Sequence, residues 1–185
     1  KTEISTRELE FNLNQEVIPR SVTFPQISDP LAQTFYIKKG MVEGGESLFV
    51  SELDVYFKRK SEVSGVTLYL TETDNGYPVG NIIPFSKVHY TKDQVNVSDD
   101  ASAATTFQFE APIRLYSERE YAFVVMPDGN DPDYLIYTSK VGGLDLSPGD
   151  TQGQAIVQDW GDGVLFTSTN NRAWKSYQDE DVKFE

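Results

Sequence analysis

The sequence from Asp29 to Lys60, DPLAQTFYIKKGMVEGGESLFVSELDVYFKRK, decides the fold that we predict for this chain. From Phe49 to Lys58 apolar side chains alternate with polar or aromatic ones, so that one face of a strand would carry Leu53, Val55 and Phe57. This period of two is the pattern of a β-strand with one buried face. The run from Gln33 to Lys38 repeats it, so the stretch predicts two strands separated by a glycine-rich bend.

The rest of the chain continues the same alternation in short runs between turn residues, which gives about ten short strands. We expect the turn Ser61–Gly65 to close a β-hairpin with the strand Val66–Thr71, and the glycine- and proline-rich stretch Thr73–Gly80 to form a loop. One helical turn is expected within Ser98–Thr105. The predicted fold is all-β: an antiparallel β-sandwich, jelly-roll-like, with an extended N-terminal arm.

Residues 1–28 differ in character from residues 29–185. They mix polar residues with scattered apolar ones, and Pro19 and Pro25 interrupt any regular helix or central strand. We therefore divide the chain into an extended N-terminal arm or linker, residues 1–28, and a β-sandwich domain, residues 29–185. Because the chain starts with Lys1, we also expect it to be part of a longer polypeptide.

Composition excludes several classes of partner. The 185 residues include 29 acidic and 16 basic ones, a formal charge of −13, whereas binding to nucleic acid or to an anionic membrane requires clustered Lys and Arg. No cysteine is present, so neither disulfides nor thiolate metal sites are available. No apolar run reaches the ~20 residues of a membrane span, and the first residues, KTEISTRELEF, lack the apolar h-region of a signal peptide.

Residues that could carry catalysis or bind metals are scarce. His89 is the one histidine, and its place in an alternating strand predicts a surface residue. The acidic stretch Asp128–Asp133 begins like a calcium loop, but Pro132 occupies a ligand position and no bidentate Glu follows. A second acidic set, Asp150, Asp159 and Asp162, has no recognisable spacing. We predict solvated turns at both places, and no catalytic residue, cofactor or metal ligand.

Aromatic side chains are the remaining candidates for binding. The chain has 10 Tyr, 11 Phe and 2 Trp residues. Tyr77, Trp160 and Trp174 fall in predicted loops or turns, where they could contact a protein partner or stack on sugar rings. The alternative, that outward aromatic residues stabilise cross-strand pairs, is the better interpretation for Tyr56 and Tyr69.

Several segments of this sequence resemble a module of virion structural proteins in large contractile-tailed bacteriophages. They are DPLAQTF (29–35), SELDVYFKRK (51–60), NGYPVGNIIPFSKV (75–88), VNVSDDASAATTFQFEAPIRLYSEREYAFVV (95–125) and DVKF (181–184). The resemblance implies a β-sandwich within a tail, baseplate or fibre-associated protein, and it offers no catalytic residue to transfer.

Two functions follow as expectations. In the first, the chain is a non-enzymatic structural and interaction module of the virion that serves assembly with neighbouring virion proteins or with the rest of its polypeptide, and it could form a homo-oligomer. In the second, it is a carbohydrate-binding jelly-roll module for receptor binding or beside a glycan-active enzyme, with the tryptophans as stacking platforms. The full-length gene and its neighbours would distinguish the two.

Overall fold

The computed structural model describes residues 29–42, 44–129, 131–140 and 163–185. Several predictions lie outside these residues: the arm 1–28, a loop at 142–150, a strand at 155–157, most of a turn at 159–163, Trp160, and the acidic set Asp150, Asp159 and Asp162. The described residues form antiparallel strands, and their helical segments are two three-residue 3₁₀ turns, Lys39–Met41 and Lys92–Gln94.

Twelve strands make up the described part of the fold. In chain order they are β1 Leu31–Ile37, β2 Ser47–Arg59, β3 Val66–Asp74, β4 Tyr77–Ile82, β5 Val88–Tyr90, β6 Ala104–Tyr116, β7 Arg119–Pro127, β8 Leu135–Ile136, β9 Thr138–Lys140, β10 Leu165–Ser168, β11 Trp174–Tyr177 and β12 Glu180–Val182.

A curled sheet and a smaller sheet form the two layers of the sandwich. The curled sheet has the order β11-β10-β1-β7-β3-β4, with β5 also paired to β3, and the smaller sheet has the order β6-β2-β8. β1 pairs with β7 in one layer while β2 pairs with β6 in the other. The chain thus changes layer between β1 and β2 and again between β6 and β7, which is a jelly-roll-like wrapping. The predicted all-β antiparallel sandwich is confirmed.

The main core lies between the two layers. β2 contributes the predicted set Leu53, Val55 and Phe57, all buried. β7 and β3 face them with further apolar side chains: Tyr121, Phe123, Val125, Val66, Leu68 and Leu70. Tyr56 lies on the opposite face of β2 as predicted, but it is buried as well, because its hydroxyl donates to Glu185 Oε1 (2.9 Å) and the Lys183 amine lies 4.1 Å from its ring centroid.

Two segments from opposite ends of the domain, 29–35 and 181–184, meet in this core. Gln33 Nε2 donates to Asp181 Oδ1 (2.7 Å), and Gln33 Oε1 accepts from the amide of Val182 (2.9 Å). The Phe35 and Phe184 rings lie 6.1 Å apart. The stretches 29–35 and 181–184 therefore fasten β1 to β12, since a buried amide side chain needs its hydrogen bonds satisfied.

Three local predictions are wrong. β2 and β3 do not form a hairpin: Ser61–Gly65 instead carries the chain from one layer to the other, held by the Asp131 carboxylate. Thr73–Gly80 is not a loop, because Asn75 and Gly76 adopt positive φ (51° and 81°) and make a two-residue turn that continues as β4. Ser98–Thr105 has no helical turn, since Asp100 Oδ1 accepts the Ser102 amide instead.

Candidate functional site

Two of the predicted contact residues, Tyr77 and Trp174, come together on a third aromatic ring. The ring centroid of Phe166 lies 5.3 Å from that of Tyr77 and 6.5 Å from that of Trp174. We call Tyr77, Phe166 and Trp174 the aromatic patch. The contact is notable because β4, which carries Tyr77, and β10, which carries Phe166, are separated by three strands in the curled sheet.

Bending of the β3–β4 hairpin makes this contact. The pairing register shifts between Thr71 and Thr73, so β4 contains two more residues than β3 over the same span, and Gly80 takes φ +75° within it. Irregular pairing of this kind bends a strand pair and increases its twist. The tip of the hairpin therefore curls toward β10, and the face of the curled sheet that points away from the main core gains a cover.

A second, smaller apolar cluster lies beneath the patch. It consists of Ala32, Tyr69, Val124 and Phe166, each at most 2% exposed, with Trp174 packed against it. The Tyr69 hydroxyl is hydrogen-bonded to the amide of Asn171 (3.3 Å to Oδ1, 3.2 Å to Nδ2). This polar partner lets a buried tyrosine sit in the cluster without an unsatisfied hydroxyl.

The β10–β11 turn positions Trp174. Asn170 Oδ1 accepts the amides of Arg172 (2.9 Å) and Ala173 (2.8 Å), and the Asn170 amide bonds Ser168 Oγ (3.3 Å). Side-chain acceptors of this kind fix tight turns. Trp174 is half-buried and Tyr77 is 49% exposed, so the patch presents aromatic surface that could contact apolar side chains or a sugar ring.

The edge strand β4 exposes more apolar surface than its length suggests. Val79 and Ile82 on β4 and Phe85 just after it are all exposed, Phe85 to 63%, whereas Ile83 packs against the main core. We call Val79, Ile82 and Phe85 the β4 edge. No charged residue occurs from Asn75 to Ser86. This stretch therefore combines an exposed edge strand with one apolar side chain, Ile83, that packs on the core.

The acidic stretch Asp128–Asp133 serves as a clamp. Asp128 Oδ2 accepts the Gly65 amide (3.1 Å) and lies 2.8 Å from His89 Nε2, and Asp131 Oδ2 accepts the hydroxyls of Ser61 and Ser64. Both carboxylates thus hold the β2–β3 connection. His89 lies at the surface as predicted, with about half of its side chain exposed, and its imidazole contacts the Asp128 carboxylate.

At the clamp the pKa values of two residues, Asp131 and Tyr134, are shifted. The hydroxyls of Ser61 and Ser64 lower the pKa of Asp131 from its ordinary value, because they donate to its carboxylate. Burial raises the pKa of Tyr134 to about 12, and the Tyr134 hydroxyl donates to Ser64 O (2.7 Å). Among the described residues, no three His, Asp or Glu side chains converge in a way that could hold a metal ion.

Comparison with protein-family models, with curated proteins and with solved structures found no match to this chain. Within the residues that the structure describes, no helix has the length and apolar character needed to cross a membrane. The case for a function therefore rests on the surfaces described above and on the resemblance of the sequence.

Proposed function

We propose that this chain is a non-enzymatic structural and interaction module of a contractile-tailed phage particle, in the tail or baseplate, where it serves assembly with neighbouring virion proteins. The observation that carries the proposal is the β4 edge. It combines exposed apolar side chains with an uncharged sequence, in a chain whose formal charge is −13. Exposed apolar surface of this kind marks contact sites in soluble proteins.

The position of the surface determines the kind of contact. β4 is the last strand of the curled sheet, and within the described residues no strand pairs with its outer side. An edge strand offers backbone groups to an added strand, and apolar neighbours add side-chain contacts. The partner that fits is an extended segment of a neighbouring virion protein, rich in apolar side chains and free of acidic ones, since added carboxylates would meet an already acidic domain.

The polar groups of the domain support a structural role. The carboxylates of Asp128, Asp131 and Asp181 each accept a hydrogen bond from a residue at least 63 positions away in the same chain. Gln33 and Asp181, which contact each other, both lie in segments that carry the phage resemblance. This buried contact maintains the fold, as expected for a module that is used as a building block.

The experiment compares incorporation into particles. A tagged copy of the chain is supplied during infection by the phage that encodes it, and purified particles are assayed for the tag. The double variant Ile82→Ser/Phe85→Ser should keep the wild-type unfolding temperature within a few degrees and yet lose most of its incorporation, because it removes apolar contact surface without touching the core.

Val63→Ser is the matched control. Val63 is 88% exposed in the β2–β3 connection, away from the β4 edge, and its replacement should leave incorporation at the wild-type level. Equal incorporation of the β4-edge variant and wild type would contradict the proposed contact.

A second candidate function is carbohydrate binding, and the meeting of Tyr77 and Trp174 on Phe166 favours it. The rings of Tyr77 and Trp174 are inclined by 55° and 81° to the ring of Phe166, so neither continues the plane of Phe166 into one flat platform. A glycan array with wild type and with Trp174→Ala tests it. Binding that the substitution abolishes, while Phe49→Ala retains it, would support this function; an array without binding would remove it.

A further inference from the structure

The outward face of β6 carries an ordered set of side chains that no role described above uses. Along this strand the buried and exposed positions alternate, and the outward, exposed residues are Thr106, Gln108, Glu110, Pro112, Arg114 and Tyr116. We call the last five of these the β6 face. It lies on the outside of the smaller sheet, on the layer of the sandwich that does not contain the β4 edge.

Opposite charges occupy the two halves of the β6 face. Glu110 precedes Pro112 by two residues and Arg114 follows it by two, so the two charges stand about 13 Å apart with proline between them. The neighbouring strand extends this order, because Glu52 pairs with Gln108 while Phe49 pairs with Arg114. One end of the face is therefore acidic, and the other end is basic and aromatic.

The basic end is already organised. The guanidinium carbon of Arg114 lies 4.8 Å from the Tyr116 ring centroid and that of Arg119 lies 5.4 Å from it, while Arg114 Nε donates to Ser47 Oγ (2.9 Å). Stacking and hydrogen bonding of this kind hold an arginine in place before it meets a partner. Exposed Phe49 and Tyr116 beside it supply aromatic surface, and aromatic side chains are enriched in protein interfaces.

We propose that the β6 face docks onto the β6 face of a second copy of this chain, around a two-fold axis near Pro112. A rotation by half a turn about this axis sets Arg114 of one copy opposite Glu110 of the other, and the reverse pair forms at the same time. Tyr116 then faces Gln108 of the second copy. The surface is therefore complementary to itself, which makes a second copy the partner that fits it.

Pro112 restricts the kind of contact. β6 is the outer strand of the smaller sheet. Because Pro112 has no amide proton, a further strand cannot pair regularly with β6, and the two copies meet through side chains. β2 and β6 have 13 residues each, so each strand is about 43 Å long. Each strand is about 5 Å wide, so the pair is about 10 Å wide and presents a projected area of about 400 Å². That is below the ~800 Å² per partner of a standard stable interface, so a weak, concentration-dependent dimer is the expected state.

Sedimentation velocity over a range of concentrations tests this proposal on the full chain. Wild type should pass from monomer to dimer as concentration rises. R114E and E110R should each weaken dimerisation by about tenfold or more, because each places like charges opposite one another across the axis. R172E and E62R change the net charge by the same amounts at exposed positions outside the β6 face, and they should dimerise like wild type.

Mixing the two variants gives the sharper result. In an equimolar mixture of R114E and E110R, the two-fold arrangement sets two carboxylates of one chain opposite two guanidiniums of the other, so a heterodimer should form although each variant alone stays monomeric. Wild type that stays monomeric throughout, or a mixture that does not associate, would overturn the proposal. Neither result bears on the β4 edge, because the incorporation assay tests that surface separately.

Discussion

Gln33 shows how much one buried polar side chain can determine. It is 1% exposed, it stands on the core face of β1 beside Phe35, and its amide holds Asp181 and the Val182 backbone in place. A buried amide of this kind is costly unless every group is satisfied. Here the hydrogen bonds are made to a strand 148 residues away, so the cost of burial yields a defined position for β12.

We expect Gln33→Leu to destabilise the domain by about 2–4 kcal/mol, because the buried hydrogen bonds that Gln33 makes to the Asp181 carboxylate and to the Val182 amide are lost. Gln108→Leu is the control, since the same change at an exposed position of β6 should cost less than about 0.5 kcal/mol. Urea denaturation midpoints measure both. Similar midpoints for the two variants would show that the Gln33 contacts contribute little.

Phe57 tests the register of β2. Its ring is fully buried, 6.4 Å from the Phe107 ring and 5.9 Å from the Tyr134 ring. Phe57→Ala should cost about 3–5 kcal/mol through lost burial and the cavity left behind. Phe49→Ala, on the opposite face of the same strand and 67% exposed, should cost little. Chemical denaturation of the two variants measures the difference, and equal losses would contradict the register.

Gly163 allows the chain before β10 to lie close to β1. Gly163 precedes β10, and a Cβ atom there would lie 1.8 Å from the carbonyl oxygen of Thr34, in the place where β1 bonds Val164. The close approach of two backbones therefore requires glycine at this point. Gly40 has no atom within 4 Å of such a Cβ.

We expect Gly163→Ala to separate β10 from β1 and to destabilise the domain by about 3 kcal/mol or more, because the clash is with backbone and cannot be relieved by a side-chain rotation. Gly40→Ala should change the unfolding temperature by no more than a few degrees. Calorimetry or circular dichroism melting measures both. A Gly163→Ala variant that melts like Gly40→Ala would contradict the β1–β10 pairing.

The clamp of the β2–β3 connection should make stability depend on pH. Because the Ser61 and Ser64 hydroxyls lower the pKa of Asp131 in the folded protein, the carboxylate contributes stability above the pKa of an unfolded aspartate, about 3.9. That contribution is lost as pH falls through the lower, folded pKa. The difference in melting temperature between wild type and Asp131→Asn should therefore be largest near pH 7 and shrink toward pH 2.5.

Asp93→Asn provides the control for this titration, since Asp93 is an exposed carboxylate in the 3₁₀ turn Lys92–Gln94. Its replacement should change the melting temperature by no more than a few degrees, because the side chain is exposed. A difference for Asp131→Asn that grows as the solution is acidified would contradict the role given to the serine hydroxyls.

At the scale of the whole molecule, the sequence predicts strands better than it predicts their partners. Alternation identifies β2 and its core residues Leu53, Val55 and Phe57 because the period of two is local, whereas the burial of Tyr56 depends on Glu185 and Lys183. The pairing of β2 with β6, and not with β3, depends on contacts more than 40 residues apart, and no local pattern records them. The Asn75-Gly76 turn was recognisable as turn chemistry, but its positive φ angles and the strand that follows it require the paired neighbour.

In the candidate site, too, the sequence indicates single residues but not the contacts between them. Tyr77 and Trp174 could be selected from the sequence as aromatic residues near turns. Their meeting on Phe166 depends on the curl of the sheet, which the register irregularity of β4 produces and which no single stretch encodes. The exposed β4 edge was partly foreseeable, since Pro84 excludes a central strand there.

We have proposed that the chain is a component of a contractile phage tail. Quantitative mass spectrometry of purified, unmodified particles, combined with immunogold labelling in the electron microscope, tests it most directly. We expect peptides of this chain at a constant number of copies per particle, with label on the tail or baseplate. Particles that lack these peptides, while the infected cell contains the chain in free form, would contradict it.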